Sequence, residues 1–171
     1  AYDDEPSADE RMLEENTAPS AINCAFVGVG GGGGKLAKAF LDLGFNKTLL
    51  INTTEKDQPD GIEPENFILI PGVDGVGKDV KLGKEILSNN STLVEDALRT
   101  RVGKVDWVFV LAGAGGGTGS ASHVLHKAIT RYLTSIGASG KVVYIVSTPS
   151  AQELLNPTIK SNCDMMLKDI S

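Results

Sequence analysis

Cysteine is scarce in this sequence: Cys24 and Cys163 are the only two among 171 residues. That is too few for a disulfide framework, and their separation matches no metal-ligand spacing, so a reducing, cytoplasmic compartment is expected. No stretch approaches the roughly 18 apolar residues of a membrane span, which excludes direct insertion as a helix. The opening residues also lack the basic start and apolar middle of a signal peptide. A basic excess is missing too, with 16 Lys and Arg against 22 Asp and Glu. The deficit lies wholly in residues 1–20, where Asp3, Asp4, Glu5, Asp9, Glu10, Glu14 and Glu15 face Arg11 alone. The remainder is balanced, so charge gives no reason to expect nucleic acid or an anionic membrane as a partner.

Residues 1–20 hold few apolar side chains, two prolines and dense charge, the composition of a disordered acidic tail. A solvated leader is the simpler reading; an acidic docking segment is the alternative. From residue 21 onward, short apolar runs alternate with longer segments of helical period. The expected fold class is α/β, a three-layer Rossmann-like and mostly parallel sheet with helices on both faces. Five runs read as buried strands: INCAFVGV, KTLLIN, NFILIP, DWVFVLA and KVVYIVS. In KLAKAFLDLG, Leu36, Ala37, Phe40 and Leu41 share a helical face, and in the segment 122–137 Val124, Leu125, Ala128, Tyr132 and Ile136 do the same. Gly44 and Gly137 read as helix ends. A helix over SNNSTLVEDALRTRVGK has Ser91 or Thr92 as its expected N-cap, Glu95 placed for a capping box and Gly103 as its stop. Near the end, Ile159, Cys163, Met166 and Ile170 fall on one face of a further helix.

Glycine is the residue in excess, with 20 in the chain, and it concentrates in GVGGGGGK (28–35) and GAGGGTGSA (113–121). Because glycine loses the most backbone entropy on folding, such runs need a compensating role. Both fall where a strand ends and a helix begins. In an open parallel sheet, free backbone N–H groups and positive helix ends converge there, and phosphate is their natural guest. Gly28, Gly30 and Gly33 formally satisfy a dinucleotide fingerprint, but Asn52 stands where the ribose-binding acid belongs, with Glu55 three residues beyond. A dinucleotide fold also has no need of the second glycine run. A P-loop is set aside because Lys35 is followed by Leu36 and not by Ser or Thr. His123 and His126, at i and i+3, lack a third ligand and read as ordinary helix residues. Thr118 and Ser120 have no paired base and read as helix-capping, phosphate-bonding hydroxyls. Trp107, opening an apolar strand, reads as core or interface.

Taken in order, these loops resemble the tubulin and FtsZ superfamily of self-assembling GTPases. GGGTGS, comprising Gly115, Gly116, Gly117, Thr118, Gly119 and Ser120, is similar to the tubulin signature loop that wraps the phosphates. Gly30, Gly31, Gly32, Gly33 and Gly34 are similar to the first FtsZ nucleotide loop, with Lys35 in place of the usual Asn. INTTE, beginning at Ile51 and including Asn52, resembles the second loop, with Thr54 in place of Asp. GVGKDVKLG, with Val76, Gly77 and Lys78, keeps the glycine spacing of the loop that senses the terminal phosphate, while Lys78 and Asp79 replace Ala and Asn. Glu153 in TPSAQE matches the glutamate that holds the ribose, but Pro157 stands where FtsZ has an arginine. Ala121 replaces a further signature glycine, and an alanine in a first helical turn is tolerated.

The resemblance implies GTP or GDP bound with Mg2+, head-to-tail assembly into a homo-oligomeric filament, and hydrolysis completed by a neighbouring subunit. Phosphoryl transfer is chiefly positioning and charge stabilisation, which glycine loops and magnesium supply. By the same resemblance, the water-orienting acids and the base-reading Asn and Asp residues belong to a long central helix and its following loop, neither of which is in this sequence. No catalytic residue is therefore expected in the chain. Residues 21–171 read as the GTP-binding part of a longer protein; a short relative that binds nucleotide or caps a filament without catalysis is the alternative, and an NAD-dependent oxidoreductase the remote one. Lys35 and Lys78 each have two readings, a solvated surface lysine or a charge beside the phosphates.

Overall fold

The five apolar runs form five strands, and all of them are parallel. The computed structural model describes residues 23–138 and 141–171, so the acidic segment 1–20 lies outside the described residues. The strands are β1 (Cys24–Val29), β2 (Thr48–Asn52), β3 (Phe67–Leu69), β4 (Trp107–Gly113) and β5 (Lys141–Ser147), in the spatial order β3-β2-β1-β4-β5. Phe26 sits in register with Thr48 on one side and Phe109 on the other. Parallel neighbours require crossovers, and helices supply them: α1 (Gly30–Asp42), α2 (Val80–Asn89), α3 (Ser91–Ala97), α4 (His126–Ser135) and, after β5, α5 (Pro157–Ile170).

Alternation along the strands sorts the two faces. Ala25, Val27 and Val29 point to one face and join Leu87, Val94, Leu98, Ile129 and Tyr132 in the larger core. Phe26, Leu50 and Leu111 point to the other and meet Ala37 of α1. There the Phe26 and Phe40 rings stack with centroids 3.9 Å apart, and Phe45 closes edge-on. Trp107 is half-buried, stacked near Phe109 with the Lys141 ammonium 5.6 Å from its ring centre, so it is not a core residue.

Three local expectations need correction. First, Gly30 to Gly34 form the opening of α1 and are not a loop. A methyl group on Gly33 would lie 2.2 Å from the Leu111 carbonyl oxygen, and one on Gly28 would lie 2.3 Å from the Gly33 carbonyl oxygen. Glycine thus lets the helix rest directly on β1 and β4. Second, Asn90 precedes α3 in the N-cap place, in front of Ser91, and no side chain caps that helix. The Asn90 amide donates backward to the Ile86 carbonyl at 2.8 Å, while Glu95 accepts from Arg131 at 3.2 Å. Third, α2 was hidden within the third glycine loop. Its visible signal is Asp79, whose carboxylate accepts from the Leu82 N–H at 3.0 Å as an N-cap.

Helix α5 begins cleanly, with Pro157 in its first turn and the Asn156 side chain accepting from the Thr158 and Ile159 N–H groups. It buries Cys163 and Met166 against Ala112 and Ala114 at the end of β4. At its far end Asp169 accepts from Lys84 at 2.7 Å and meets His123 Nε2 at 3.2 Å, bracing α5 against the body. Among the described residues, no helix is long and apolar enough to cross a membrane.

Two stability predictions follow from this packing. Gly33→Ala should cost about 1–3 kcal/mol by overpacking against backbone that cannot retreat. Gly34→Ala, whose methyl would meet the side chains of Leu50 at 3.4 Å and Pro59 at 3.9 Å and no backbone, should instead gain up to about 1 kcal/mol from helix propensity; urea unfolding of both variants distinguishes the two signs. The α5 brace sets a pH dependence. Burial, reinforced by Lys84 and only partly opposed by Asp169, lowers the His123 pKa below its ordinary 6.5, and the Lys84 hydrogen bond lowers that of Asp169 below 3.8. With both values depressed on folding, the unfolded chain takes up protons first, and stability is lost as pH falls. The loss should begin below pH 6.5 and gain a second component below 3.8; thermal melts across that range should find the first component missing in His123→Asn.

Candidate functional site

The strand order reverses between β1 and β4, because the chain runs outward through β2 and β3 and then returns to β4 on the other side. Loops leaving the carboxyl ends of neighbouring strands diverge at such a point and leave a crevice. Here five loops line a cleft of about 530 Å³. Gly30, Gly31 and Gly32 enter from α1, and Asn52 to Thr54 with Lys56 and Asp57 from the loop after β2. Asp74 to Lys78 follow β3, Gly116 to Gly119 follow β4, and Thr148, Pro149 and Glu153 follow β5.

Contacts between the loops fix the cleft's shape. Gly30 adopts a left-handed φ of +76°, and a methyl group there would come 2.9 Å from the Gly119 nitrogen, so the first and fourth loops meet backbone to backbone. The Asn52 carboxamide oxygen accepts from the Thr53 N–H at 2.8 Å, and the Thr53 hydroxyl lies 3.0 Å from that of Thr118. Thr54 donates to Asp74 Oδ1 at 2.9 Å and Lys56 to Asp74 Oδ2 at 2.7 Å, joining the second loop to the third. At Gly117 a methyl group would lie 2.4 Å from Val76 and 3.0 Å from the Lys78 Cα, so the third loop presses on the fourth. The Glu153 carboxylate accepts from the Ser150 N–H at 2.8 Å, which shapes the fifth.

The cleft is mixed in charge, with Lys56 and Lys78 against Asp57, Asp74 and Glu153. Hydrogen bonds from Lys56 and Thr54 hold the Asp74 carboxyl below the usual carboxylate range, and the same contact raises the Lys56 ammonium. Lys78 makes no ion pair among the described residues. It also carries a φ of 63°, a conformation that only glycine otherwise adopts among them.

Of the residues singled out in the sequence, Gly30, Gly31, Gly32, Asn52, Val76, Gly77, Lys78, Gly116, Gly117, Thr118, Gly119 and Glu153 come together in this one cleft. Gly33 and Gly34 lie beneath it inside α1, where they pack. Lys35 is exposed and lines a neighbouring depression with Gln58, Pro59 and Asp60. Gly115 opens to a small recess beside Ile159. Ser120 is wholly buried and accepts the Gly115 N–H at 2.9 Å, so its hydroxyl does not face the cleft. Thr118 does not cap the turn that follows it, since no side-chain cap is formed and its hydroxyl is directed to Thr53. His123 and His126 have separate partners, Asp169 and the Tyr144 hydroxyl. Sequence reasoning missed Thr53, Lys56, Asp57 and Asp74. Only Thr53 directly follows a strand; Lys56, Asp57 and Asp74 lie four or five residues beyond one, and no motif marks them.

No family model matches the sequence. Over an alignment of 122 positions that takes in 63% of the chain, the sequence is 38% identical to the tubulin-like protein CetZ2 of Haloferax volcanii, of which it covers 33%. The solved structure of that CetZ2, a GTPγS-bound protofilament, matches 86% of the chain and 45% of its own with a TM-score of 0.69 and 31% identity. CetZ from Methanosaeta thermophila matches 86% of this chain and 42% of that one at a TM-score of 0.74 and 25% identity. The FtsZ dimer of M. jannaschii matches 95% and 46% at a TM-score of 0.66 and 25% identity. The chain thus spans about a third of the curated relative and under half of each solved one. With five parallel strands and these likenesses in hand, the chain belongs to the tubulin/FtsZ superfamily.

Proposed function

We propose that the cleft binds a guanine nucleotide, GTP or GDP, and that the chain is the nucleotide-binding part of a cytoplasmic, self-assembling GTPase. One observation carries the reading. Helix α1 opens into the cleft with no side-chain cap and no acid in its first turn, facing the glycine-rich turn after β4. Unused N–H groups and the positive end of the helix favour an anion there, and the missing side chains let its oxygens approach. That GTPγS occupies CetZ2 of Haloferax volcanii in its protofilament supports the choice of ligand and the head-to-tail partner, a second copy of the protein.

Within this reading, Gly30 to Gly32 and Gly116 to Gly119 cradle the phosphates, and Val76, Gly77 and Lys78 stand at their far end. Asn52 holds the second loop in place, and Glu153 is available to the ribose. Gly33, Gly34, Gly115 and Ser120 support these groups from below. Among the described residues, no three His, Cys, Asp or Glu side chains gather to hold a metal. Magnesium would therefore take its ligands mainly from phosphate and water, and when bound it neutralises charge on the transferring phosphoryl group. The chain's own residues bind, orient and stabilise charge, and the group that orients the attacking water comes from the neighbouring subunit.

Titration calorimetry with GTP, GDP and NADH tests the assignment: the two guanine nucleotides should bind and NADH should not, and the reverse would overturn it. A hydrogen bond from an ammonium to phosphate is worth about 1.5–3 kcal/mol. Lys78→Ala should therefore weaken GTP at least about tenfold relative to GDP, and an unchanged ratio would remove Lys78 from the terminal phosphate.

A further inference from the structure

Asn162 lies on α5, is 6% exposed, and faces away from solvent beneath the cleft. Its amide spends both hydrogens on backbone carbonyls from two different loops. One goes to the Lys78 oxygen at 2.8 Å and the other to the Gly115 oxygen at 3.0 Å. These carbonyls belong to the two loops that touch at Gly117, where there is no room for a methyl group between Val76 and Lys78. Each of the two residues so held has a left-handed backbone, Lys78 with φ of 63° and Gly115 with φ of +117°. Lys78 is a lysine in a conformation that L residues disfavour, so something outside its own loop must select it. The buried amide is the group in position to do so.

We propose that Asn162 is a positioning residue for the terminal phosphate of the bound nucleotide. It fixes the Lys78 carbonyl, and with it the Lys78–Asp79 peptide plane and the direction in which the Lys78 side chain leaves the backbone, relative to the Gly115 to Gly119 turn. The reach of the amide is set by α5, which is anchored at its start by the Asn156 cap and at its end by the contacts of Asp169 with Lys84 and His123. A shift of this helix would therefore move both loops together. The inference rests on the nucleotide reading above and adds the residue that gives the cleft its discrimination between triphosphate and diphosphate.

The test is the ratio of GTPγS to GDP dissociation constants, measured by calorimetry in the wild-type chain, Asn162→Ser and Asn162→Ala, with thermal melts alongside. Serine keeps one donor and alanine none. The preference for GTPγS should fall about threefold in Asn162→Ser and about tenfold in Asn162→Ala, while GDP affinity changes less than threefold in either. A residue that merely stabilised the fold would lower the melting temperature and weaken both nucleotides equally, and that outcome would overturn the proposal. If Asn162→Ala does not fold, Asn162→Ser decides by the same criterion. In a Lys78→Ala background, Asn162→Ser should leave the ratio unaltered, because the positioned group is already gone; an additive further loss would also overturn it. Failure of the wild-type chain to bind either nucleotide would instead sink the nucleotide reading itself.

Discussion

Gly33 rests against the Leu111 carbonyl and Gly28 against the Gly33 carbonyl, so the opening of α1 lies on β1 and β4 with no side chain between helix and sheet at Gly28 and Gly33. Everything at the carboxyl end of the sheet depends on that close approach. A helix held off by ordinary side chains would raise its N-terminus away from the turn after β4. Because Gly30 meets Gly119 backbone to backbone, the two N–H-rich segments converge on one volume. The entropy that glycine loses in a helix interior is offset by burial of Phe26, Ala37, Leu50 and Leu111 along the same contact. One glycine run thus both packs the helix and lines the cleft.

Much of this was legible in the sequence, and the reasons differ by level. β1 and β2 were readable because each is a short, β-branched run buried on both faces, which leaves a nearly continuous apolar string, whereas the edge strands β3 and β5 keep the apolar composition but are partly exposed, against the expectation of five buried strands. The order of the glycine loops carried the superfamily resemblance, since each loop sits at a fixed place relative to a strand. What stayed hidden was the division of labour within a run. Gly32 lines the cleft and Gly33 does not, yet the letters are identical; only the helical rotation about α1 separates them. Ser120 was misread for a similar reason, because its burial depends on the 3-10 turn over Gly119–Leu125 and not on its type. Helix α2 escaped because its start coincides with a loop motif, and the Asp79 cap was read only as a departure from that motif.

Asp57, Asp74, Lys56 and Thr53 were invisible for another reason. Their placement depends on how one loop lies against the next, and a single sequence contains no record of that contact. The Thr53 to Thr118 hydroxyl pair joins residues 65 positions apart, and the Asn162 bonds to Lys78 and Gly115 span 84 and 47. Periodicity speaks to neighbours in one element, and motif spacing to residues in one loop. Long-range polar contacts at a crevice answer to neither, which is why the framing residues of the cleft emerged only with the fold.

The third loop, Asp74 to Asp79, is held near Asp74 by the Gly75 N–H on the Thr53 carbonyl at 2.9 Å, by the Thr54 hydroxyl and by Lys56, and near Lys78 by the Asn162 amide; these contacts are of unequal strength. At one end the Lys56 to Asp74 ion pair is open to water, with side-chain exposures of 76% and 66%. Exposed pairs of this kind contribute little, are weakened by salt, and compete with any other anion offered to the lysine. At the other end the Asn162 amide is buried, and its loss would leave two carbonyls without donors in a place where water reaches poorly. Of these contacts the Lys56 to Asp74 pair is the one most readily broken, while the buried amide keeps the Lys78 geometry against which, in the nucleotide reading proposed above, a terminal phosphate would be measured.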